Sequence, residues 1–507
     1  MRNGTLSSYD QVPYASRPLP QTHPGHLATV GALFGFDAPD VARCRVLEIG
    51  CAAGGNLIPL AASHPDSTFV GIDSSPVQVA QGAGEIAALG LANIRLLPID
   101  LMDFFGDEHG EFDYVIAHGI YSWVPAPVQQ AILELCGRRL AKNGIALVSY
   151  NTLPGWRLLS VVREAMLYQA KDIADPRARV AQARATLDFL AESVPDRDSA
   201  YGRLLRLASE HIRRKPDYYV LHEYLEATNE ALYFEQFIAR IAPHALRYLG
   251  DSDVTTMLAA GLPQNVVATL DRIAPDLVRR EQFLDFLSSR SFRHSLLVRE
   301  GAALERKLTP ARIVALRIAA PVALGGLPAD TTSDRTHTFR LIDGRKVDAS
   351  PPIVKSVLAV LAERWPLPSA FDELFERAMA RLGGAARDAT ADRALLAAEL
   401  LRLYAAGALE LHREAPRFVL TPGQQPEAFA PARRDAQRGP GANVSANLRH
   451  EPIALDDEER ALLPLLDGER GRDDIAALRW PALSEAERVT KLDHALVALG
   501  RRALLVR

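Results

Sequence analysis

The sequence predicts an α/β protein whose largest part is a doubly wound, mostly parallel sheet. Three observations support this fold class. Apolar segments typical of buried strands alternate with helical patterns from Val46 to Asn151. The first strand ends in a glycine-rich turn that leads into a helix. Carboxylates lie on or at the ends of successive strands, and the carboxyl ends of the strands are where open α/β sheets bind their ligands.

Each element of the sheet has a local reason in the sequence. Short apolar runs rich in β-branched residues predict strands, and longer runs with one apolar face predict helices. A helix over Leu27–Phe34 precedes the first strand. The predicted strands are 46–50, 68–73, 94–99, 112–118 and 145–150, and the predicted helices between them are 56–63, 76–89 and 127–140. A sixth and a seventh strand are still needed, and the best candidates are His244–Leu249 and Phe292–Val298.

The turn after the first strand is the candidate ligand site. Gly50 and Gly54 can adopt the positive φ angles of a tight turn, and backbone N–H groups there lie close to a bound ligand. A pyrophosphate-binding turn would have a third glycine where Ala52 stands, and here an acid, Glu48, lies within the first strand. This pattern favours a cationic nucleoside ligand over NAD.

Two further acids continue the series, because Asp73 closes the second strand and Asp100 closes the third. The order and spacing resemble the motifs of class I S-adenosylmethionine-dependent methyltransferases, whose sheet is Rossmann-like and whose pattern usually has glycine at position 52. The resemblance implies that the turn lines the methionine part of the cofactor, that Asp73 binds both ribose hydroxyls, and that Asp100 and Leu101 flank the adenine. The residues that it assigns to S-adenosylmethionine are Glu48, Gly50, Cys51, Ala52, Gly54, Asp73, Ser74, Asp100 and Leu101.

Residues 1–26 are rich in Tyr, Pro and His, which predicts an extended arm without a helix. The arm either packs on the first domain as a structural element or acts as a lid over the cofactor. In the second case Tyr14, Gln21 and Thr22 would close over the site. A closed site excludes water from methyl transfer, and a mobile arm can open for cofactor exchange.

The loops after the fourth and fifth strands hold the densest group of aromatic residues beside the predicted cofactor. An aromatic wall can accept a cationic nitrogen face-on, and the nitrogen, methyl and sulfur atoms can then be aligned for direct displacement. The candidate catalytic and acceptor-pocket residues are His118, Tyr121, Trp123, Asn151 and Trp156. His118, Tyr121 or bulk water could take the proton of the acceptor amine, and both tryptophans could instead only cap the core.

Composition excludes several classes of function. A chain of 507 residues predicts about three domains. The net charge of −4 provides no basic field for phosphate backbones, and no Asn-Pro-Pro-Tyr loop of the DNA-amine methyltransferases is present, so we expect no nucleic-acid partner. The three cysteines lack metal-ligand spacing, so no metal site is predicted. Without an apolar run long enough for a membrane span or a signal segment, the expected location is cytoplasmic.

Further segments narrow the resemblance to one group of methyltransferases. These segments are Gln21–Pro24, Gly50–Pro59, Tyr150–Trp156, His222–Phe234 and Phe292–Leu297. Together they resemble bacterial methyltransferases that carry a methyltransferase regulatory domain, including the rickettsial-type protein lysine methyltransferases. The likeness covers about residues 9–300 well and the C-terminal third in outline. It implies that lysine side chains of a protein accept the methyl group.

The remaining sequence predicts four more regions. Helical patterns over 171–235, with an apolar stripe that includes Leu187, Phe189 and Leu207, predict an insertion and a possible homodimer contact. Residues 236–305 would complete the methyltransferase domain that begins in 1–170. Residues 306–430 read as a winged-helix-like module with helices Ile353–Arg364, Phe371–Leu382 and Asp392–Ala405, a ribbon Leu409–Leu420 and a nearly neutral third helix that favours protein contacts over DNA. A flexible linker is predicted over 422–448. Most of it belongs to the last predicted region, 431–507, which also holds a small helical domain.

Three functions remain open at this point. The first is a protein lysine methyltransferase, which the resemblance implies. The second is a methyltransferase for a small metabolite or natural product, in which the C-terminal modules shape the pocket. The third is an interaction protein that senses the cofactor and has no acceptor.

Overall fold

The computed structural model describes residues 8–106, 109–328, 330–383, 388–438 and 444–507. Its first large unit is built on the strands β1 Arg45–Ile49, β2 Thr68–Asp73, β3 Ile94–Pro98, β4 Phe112–Ala117, β5 Leu140–Asn151, β6 Leu246–Asp251 and β7 Phe292–Arg299. Their order in the sheet is β3-β2-β1-β4-β5-β7-β6. Strands β1 to β5 run parallel, and β7 is antiparallel to β5 and β6. The predicted doubly wound sheet is confirmed, including its two late strands.

The position of β1 explains where the sheet can bind a ligand. The chain leaves β1 towards β2 on one side, and it returns to β4 on the other side of β1. At such a reversal the connections diverge and leave a crevice at the carboxyl ends of the strands. The glycine-rich turn lies at this crevice, directly after β1.

The helices of this unit start and stop at residues with local signals. They are α1 Ser8–Gln11, α2 Pro24–Leu33, α3 Leu57–Ser63, α4 Pro76–Leu89, α5 Ala126–Arg139, α6 Gly155–Ala170, α7 Pro176–Ser193, α8 Ala200–Arg213, α9 Asp217–Tyr224, α10 Phe234–Ile241, α11 Gln264–Ile273 and α12 Leu277–Ser288. Ser75 caps α4, and Gly90 ends it in the left-handed region. α2 begins earlier than predicted, because the His23 side chain accepts the Gly25 N–H and Pro24 suits the first turn.

The N-terminal arm contains more local structure than its composition predicts. Residues 1–7 of the predicted arm lie outside the described residues. The prediction of no helix over 1–26 is wrong at α1 and at the 3-10 turn Pro20–Thr22, while residues 13–19 form no regular structure. The 3-10 turn is compatible with proline, because Pro20 stands in its first turn, where no N–H donor is needed.

Helices α6 to α9 form a helical insertion with a core of its own. That core includes Val162, Met166, Val180, Leu187 and Leu205, so α6, which the predicted bounds place before the insertion, belongs to it. The predicted apolar stripe is divided between interior and surface. Leu187 is fully buried, whereas Phe189 and Leu207 remain 64% and 67% exposed.

Residues after β7 form a middle unit that shares its core with the sheet. It contains α13 Pro310–Val314, β8 Arg317–Ala319, β9 His337–Arg340, β10 Lys346–Ala349, α14 Pro352–Arg364, β11 Ser369–Ala370, α15 Phe371–Arg381, α16 Ala389–Ala405 and β12 Glu410–His412. The three predicted helices are present. Of the predicted ribbon Leu409–Leu420 only β12 is a strand, because Val419 instead donates its N–H to the Leu505 carbonyl of the next unit.

The C-terminal unit has a separate hydrophobic core. Its elements are α17 Ala430–Gln437, β13 Ser445–Ala446, β14 Pro452–Ile453, α18 Asp457–Leu462, α19 Arg472–Arg479 and α20 Glu485–Arg501. The flexible linker predicted over 422–448 is therefore wrong for α17 and β13. Pro431 stands in the first turn of α17, and the buried Ala432 and Ala436 join the core. Residues 439–443 of that linker lie outside the described residues.

In the ranges that the structure describes, no helix combines the length and the hydropathy needed to cross a bilayer.

Candidate active site

A cavity of about 660 Å³ opens at the carboxyl ends of the central strands. It is bordered by the N-terminal arm, the turn after β1, the ends of β2 and β4, and helix α9. Predicted site residues that line it are Tyr14, Glu48, Gly50, Cys51, Ala52, Asp73, Ser74, Asp100, Leu101, His118, Trp123, Asn151 and Trp156. The structure therefore brings both predicted groups, the cofactor residues and the aromatic residues, to one cavity.

The turn after β1 uses left-handed backbone at three positions. Gly50 and Gly54 have φ angles of 75°, and Ala52 has a φ of 50°. A Cβ atom on Gly50 would lie 2.6 Å from Cγ2 of Ile120, so only glycine fits there. Ala52 adopts the left-handed conformation at a cost of about 1 kcal/mol, which explains how the turn forms without glycine at this position. Gly54 shapes the turn but does not line the cavity.

Glu48 is a buried carboxylate with one satisfied oxygen. Its Oε1 accepts a hydrogen bond of 2.9 Å from Nδ2 of Asn56. Oε2 has no hydrogen-bond partner among the described residues, and the residue lines the cavity. Burial raises the pKa of Glu48 to about 8, with the Asn56 bond opposing the rise. Such a carboxyl is suited to meet a cationic group of a ligand.

Asp73 is held at the end of β2 by the backbone. Its Oδ2 accepts the N–H of Ala52 at 2.8 Å, and Oδ1 accepts the N–H of Ser75 at 2.8 Å. Burial raises the pKa of Asp73, and these two hydrogen bonds oppose that rise. At the end of β3, Asp100 accepts the N–H of Met102 at 3.0 Å and caps a short 3-10 turn. Both carboxylates are thus oriented by local backbone.

The N-terminal arm lies directly on the turn after β1. The Gly55 N–H donates to Ser16 Oγ at 2.7 Å, and the Leu19 N–H donates to Asn56 Oδ1 at 3.0 Å. A Cβ atom on Gly55 would lie 2.4 Å from the carbonyl carbon of Ser16, so this close approach requires glycine. On the other side of the cavity, His222 Nε2 donates to the Val12 carbonyl at 2.7 Å. The arm therefore bridges the turn and α9.

Two of the predicted lid residues support the wall and do not line the cavity. Nε2 of Gln21 is 3.4 Å from Nε2 of His118. Thr22 is fully buried, donates its hydroxyl proton to the Leu19 carbonyl at 2.9 Å and accepts a hydrogen bond from Asn56 Nδ2 at 3.0 Å.

Two tryptophans form an aromatic corner of the cavity. The rings of Trp123 and Trp156 meet edge to face, with centroids 5.9 Å apart and an angle of 84° between their planes. Tyr121 does not line this cavity. Its ring is fully buried and packs edge to face against Tyr150 and Phe237 in the core, so it lies behind the wall to which the sequence assigned it.

His118 belongs to a buried histidine pair. Its Nε2 is 3.2 Å from Nε2 of His294, and the two rings stack with centroids 5.2 Å apart. Burial lowers the pKa of His118 to about 3 and that of His294 to about 4. The imidazole of His118 is therefore a weak proton acceptor at neutral pH.

Helix α9 contributes three lining residues that sequence reasoning did not assign. These are Tyr219, His222 and Glu223. Both ring nitrogens of His222 are engaged, Nδ1 with Glu226 Oε1 at 3.0 Å and Nε2 with the arm. Burial raises the pKa of Glu223 to about 7, and the charges of His222 and Lys215 oppose this rise. The helical spacing of 219, 222, 223 and 226 was the available signal, because residues three and four apart share one face.

Comparisons with known proteins agree with this architecture. Three family descriptions match the chain: "Methyltransferase domain" over residues 47–146, "Predicted methyltransferase regulatory domain" over 216–299 and "PKMT, C-terminal winged helix domain" over 424–478. The regulatory domain thus includes α9 and β7. The match to the winged helix domain covers 424–478. It lies C-terminal to most of residues 306–430, where the sequence predicts a winged-helix-like module.

The chain is similar over most of its length to rickettsial proteins. An uncharacterized protein of Rickettsia prowazekii is 34% identical over 489 residues, which is 95% of this chain and 86% of that protein. A second uncharacterized protein of the same organism is 38% identical over 233 residues, 46% of this chain and 93% of that protein. The structure of PKMT2 from Rickettsia typhi in complex with AdoHcy superposes with a TM-score of 0.86 at 29% identity, covering 98% of this chain and 100% of that chain.

The fold, the cavity and these matches indicate the same protein family. The chain has a seven-stranded sheet and a match to the regulatory-domain description, and a relative that is 34% identical matches it over 95% of its length. The chain belongs to the class I S-adenosylmethionine-dependent methyltransferases that carry a methyltransferase regulatory domain and a PKMT C-terminal winged helix domain.

Proposed function

We propose that this protein transfers methyl groups from S-adenosylmethionine to lysine side chains of a protein. The observation that carries the proposal is that one cavity combines carboxylates suited to the cofactor with an aromatic corner and a further carboxylate, Glu223. The similarity to PKMT2, which was solved with AdoHcy, supports both the cofactor and the class of acceptor.

In this proposal the turn after β1 and the strand ends hold the cofactor. Asp73 binds the two ribose hydroxyls, and Asp100 with Leu101 flanks the adenine. Oε2 of Glu48 faces the cationic methionine part, for which an unpartnered carboxylate oxygen is a suitable partner. Tyr14 covers the site from the arm.

The acceptor amine would enter beside the tryptophans. Trp123 and Trp156 would contact the cationic or partly charged nitrogen through their ring faces and exclude water. Asn151, which lines the same cavity, would orient the amine. Transfer is a direct displacement: the amine lone pair forms the N–C bond while the S–C bond breaks and its electron pair returns to sulfur, so no covalent enzyme intermediate is needed.

We assign proton removal from the acceptor to Glu223. A lysine amine has a free pKa of about 10.4, so it must lose a proton before it can attack. His118 is too weak a base, and both nitrogens of His222 are already engaged. Glu223, with a pKa of about 7, can hold the ammonium group and accept its proton near neutral pH.

The experiment that tests the proposed function uses purified protein, isotopically labelled S-adenosylmethionine and a cell extract. Mass spectrometry then locates the transferred methyl group. Label on lysine side chains of a protein is the expected result. Label confined to small molecules would contradict the lysine proposal and favour a metabolite methyltransferase, and cofactor binding without any transfer would favour a cofactor-sensing protein.

We also propose that the protein forms a homodimer through its helical insertion. Large apolar side chains that remain exposed on α6, α7 and α8 support this contact. They are Leu158, Tyr168, Phe189, Tyr201 and Leu207.

A further inference from the structure

A segment of the C-terminal unit reaches the turn of the proposed cofactor site. His450 is buried, and its Nε2 lies 2.7 Å from Oδ1 of Asn56, a residue 394 positions earlier in the chain. Asn56 follows the glycine turn and immediately precedes α3. The C-terminal unit thus contacts the cofactor side of the molecule with a polar group inside the protein.

The loop that presents His450 is held in place by its own unit. Asn447 Oδ1 accepts the backbone N–H groups of Arg449 and Glu451, each at 2.9 Å. Asn447 Nδ2 donates to Glu451 at 2.8 Å and to the Arg502 carbonyl at 3.1 Å. His450 itself has a φ of 60°, a strained value for a non-glycine residue that such a loop can maintain.

The same loop is fixed to the middle unit by Arg449. Its guanidinium lies 2.9 Å from Glu410 Oε2 and 4.8 Å from the ring centroid of Trp365. The first unit, which contains the sheet, and the middle unit are therefore both contacted by residues 447–451 of the C-terminal unit.

Asn56 connects these contacts to the cavity. Because the backbone N–H of Leu19 donates to Oδ1, that atom is the amide oxygen, and Nε2 of His450 must carry a proton and donate to it as well. Burial lowers the pKa of His450 to about 3, so the ring is neutral and this proton is on a neutral donor. The amide nitrogen then donates to Glu48 Oε1 at 2.9 Å and to Thr22. Glu48 Oε2 is the unpartnered oxygen at the cavity wall.

We infer that His450 is a positioning residue, through which docking of the C-terminal unit orients Asn56 and thereby Glu48 for cofactor binding. The inference rests on the proposed cofactor site and adds a dependence of that site on the C-terminal unit. Without the His450 donor, the Asn56 amide loses one of the contacts that hold its oxygen away from Glu48. The Glu48 carboxylate and the Leu19 anchor of the arm then lose their fixed geometry.

Two variants of similar volume separate hydrogen bonding from packing. His450→Gln keeps an N–H donor, whereas His450→Leu fills the space without one. We expect H450L to weaken S-adenosylhomocysteine binding about tenfold in calorimetric titrations of the full chain, the loss of one buried hydrogen bond. H450Q is expected to stay within about threefold of the wild type. His494→Ala, an exposed histidine in α20 of the same unit, is the control and should bind like the wild type.

A purely structural role predicts a different pattern. In that case H450L and H450Q would lower the melting temperature alike and leave affinity equal, which would overturn the inference. A Glu48→Gln background adds a second readout, because an effect that acts through Glu48 should largely disappear there. If H450L does not fold, Thr22→Val removes a contact to the same amide from the arm side and should weaken binding in the same way; unchanged affinity would count against the inference. A wild-type protein that binds no S-adenosylhomocysteine would overturn the proposed function itself, and the inference with it.

Discussion

Glu48 and Asp73 show how two acids at one site are held by different contacts. Asp73 lies at the end of a strand and accepts two backbone N–H groups, which favour its charged form. Glu48 lies inside β1, where only Asn56 compensates for burial. Asp73 is therefore suited to hydroxyl groups, and Glu48 to a cation that restores its charge.

The first prediction concerns a proton released on cofactor binding. With a pKa of about 8, most Glu48 side chains are protonated at pH 7, and a cationic ligand should drive the proton off. We expect binding of S-adenosylmethionine to release close to one proton at pH 7. The affinity for S-adenosylmethionine should rise with pH between 6 and 7.5, because a smaller fraction of the Glu48 side chains then has to lose a proton on binding.

Calorimetry in buffers of different ionisation enthalpy measures this proton directly. Glu48→Gln should abolish the release and the rise of affinity with pH, while Asp66→Asn, an exposed acid before β2, should leave both unchanged. Proton release that persists in E48Q would show that another group titrates.

The second prediction concerns the pH dependence of methyl transfer. Glu223 accepts a proton only when ionised, and burial raises its pKa to about 7. At saturating cofactor, kcat/KM should therefore rise as pH increases through about 7. Glu223→Gln should lower it about a hundredfold and remove this inflection, the loss typical of a missing general base. Glu164→Gln, an exposed acid on α6, is the control, and an E223Q profile that keeps the inflection would exclude Glu223 as the base.

At the level of elements, the arm depends on one glycine. Gly50 and Gly54 allow the turn itself, whereas Gly55 allows the arm to lie against it. The arm is then held between the turn and α9 by Ser16 and Val12. If the arm acts as a lid, these few hydrogen bonds could break and let it open without unfolding either neighbour.

The third prediction follows from this contact. Gly55→Ala should displace the arm, because its Cβ would clash with the backbone of Ser16. We expect faster hydrogen exchange over residues 12–22 and a cofactor affinity lowered about tenfold. Gly84→Ala is a matched control in α4, where a Cβ meets no atom within 4 Å and should stabilise the helix by about 0.5–1 kcal/mol. Unchanged exchange of the arm in G55A would refute the contact as its anchor.

At the level of the whole molecule, polar contacts join the units around the cofactor side. Arg438 of the C-terminal unit forms an ion pair with Glu85 on α4, and Arg417, in the segment that leads into this unit, donates to the Ser63 carbonyl at 3.0 Å. With the His450 contact, these interactions attach the C-terminal unit to the helices that follow the first two strands. The contacts that hold the C-terminal unit in place therefore lie on or next to the helices that follow the cofactor turn and β2.

The fourth prediction concerns association between whole molecules. If the exposed apolar side chains of the insertion form a homodimer contact, Leu207→Glu should convert a dimer to a monomer in light-scattering measurements. The reason is that a charge would be buried in an apolar interface. Leu478→Glu, an exposed leucine of the C-terminal unit, is the control. A wild-type monomer at high concentration would refute the dimer.

Local patterns in the sequence were sufficient for the sheet, the glycine turn and the strand-end acids. Strand periodicity, the φ freedom of Gly50 and the position of Asp73 after an apolar run are properties of a few consecutive residues, so they are visible without the fold. The resemblance to methyltransferases added the cofactor, and the family matches confirm it.

Which side chains face the cavity depends on how distant parts of the chain pack. Tyr121 and Trp123 are two residues apart in one loop, yet Tyr121 enters the core and Trp123 the cavity. Glu223 comes to the cavity from a helix of the regulatory domain, and His450 reaches Asn56 across 394 positions. Local sequence was enough to predict most of the strands and helices of the sheet unit and the cofactor turn. Contacts between distant segments could not be predicted, because helical spacing shows which residues share a face of α9 but not which distant segment that face meets.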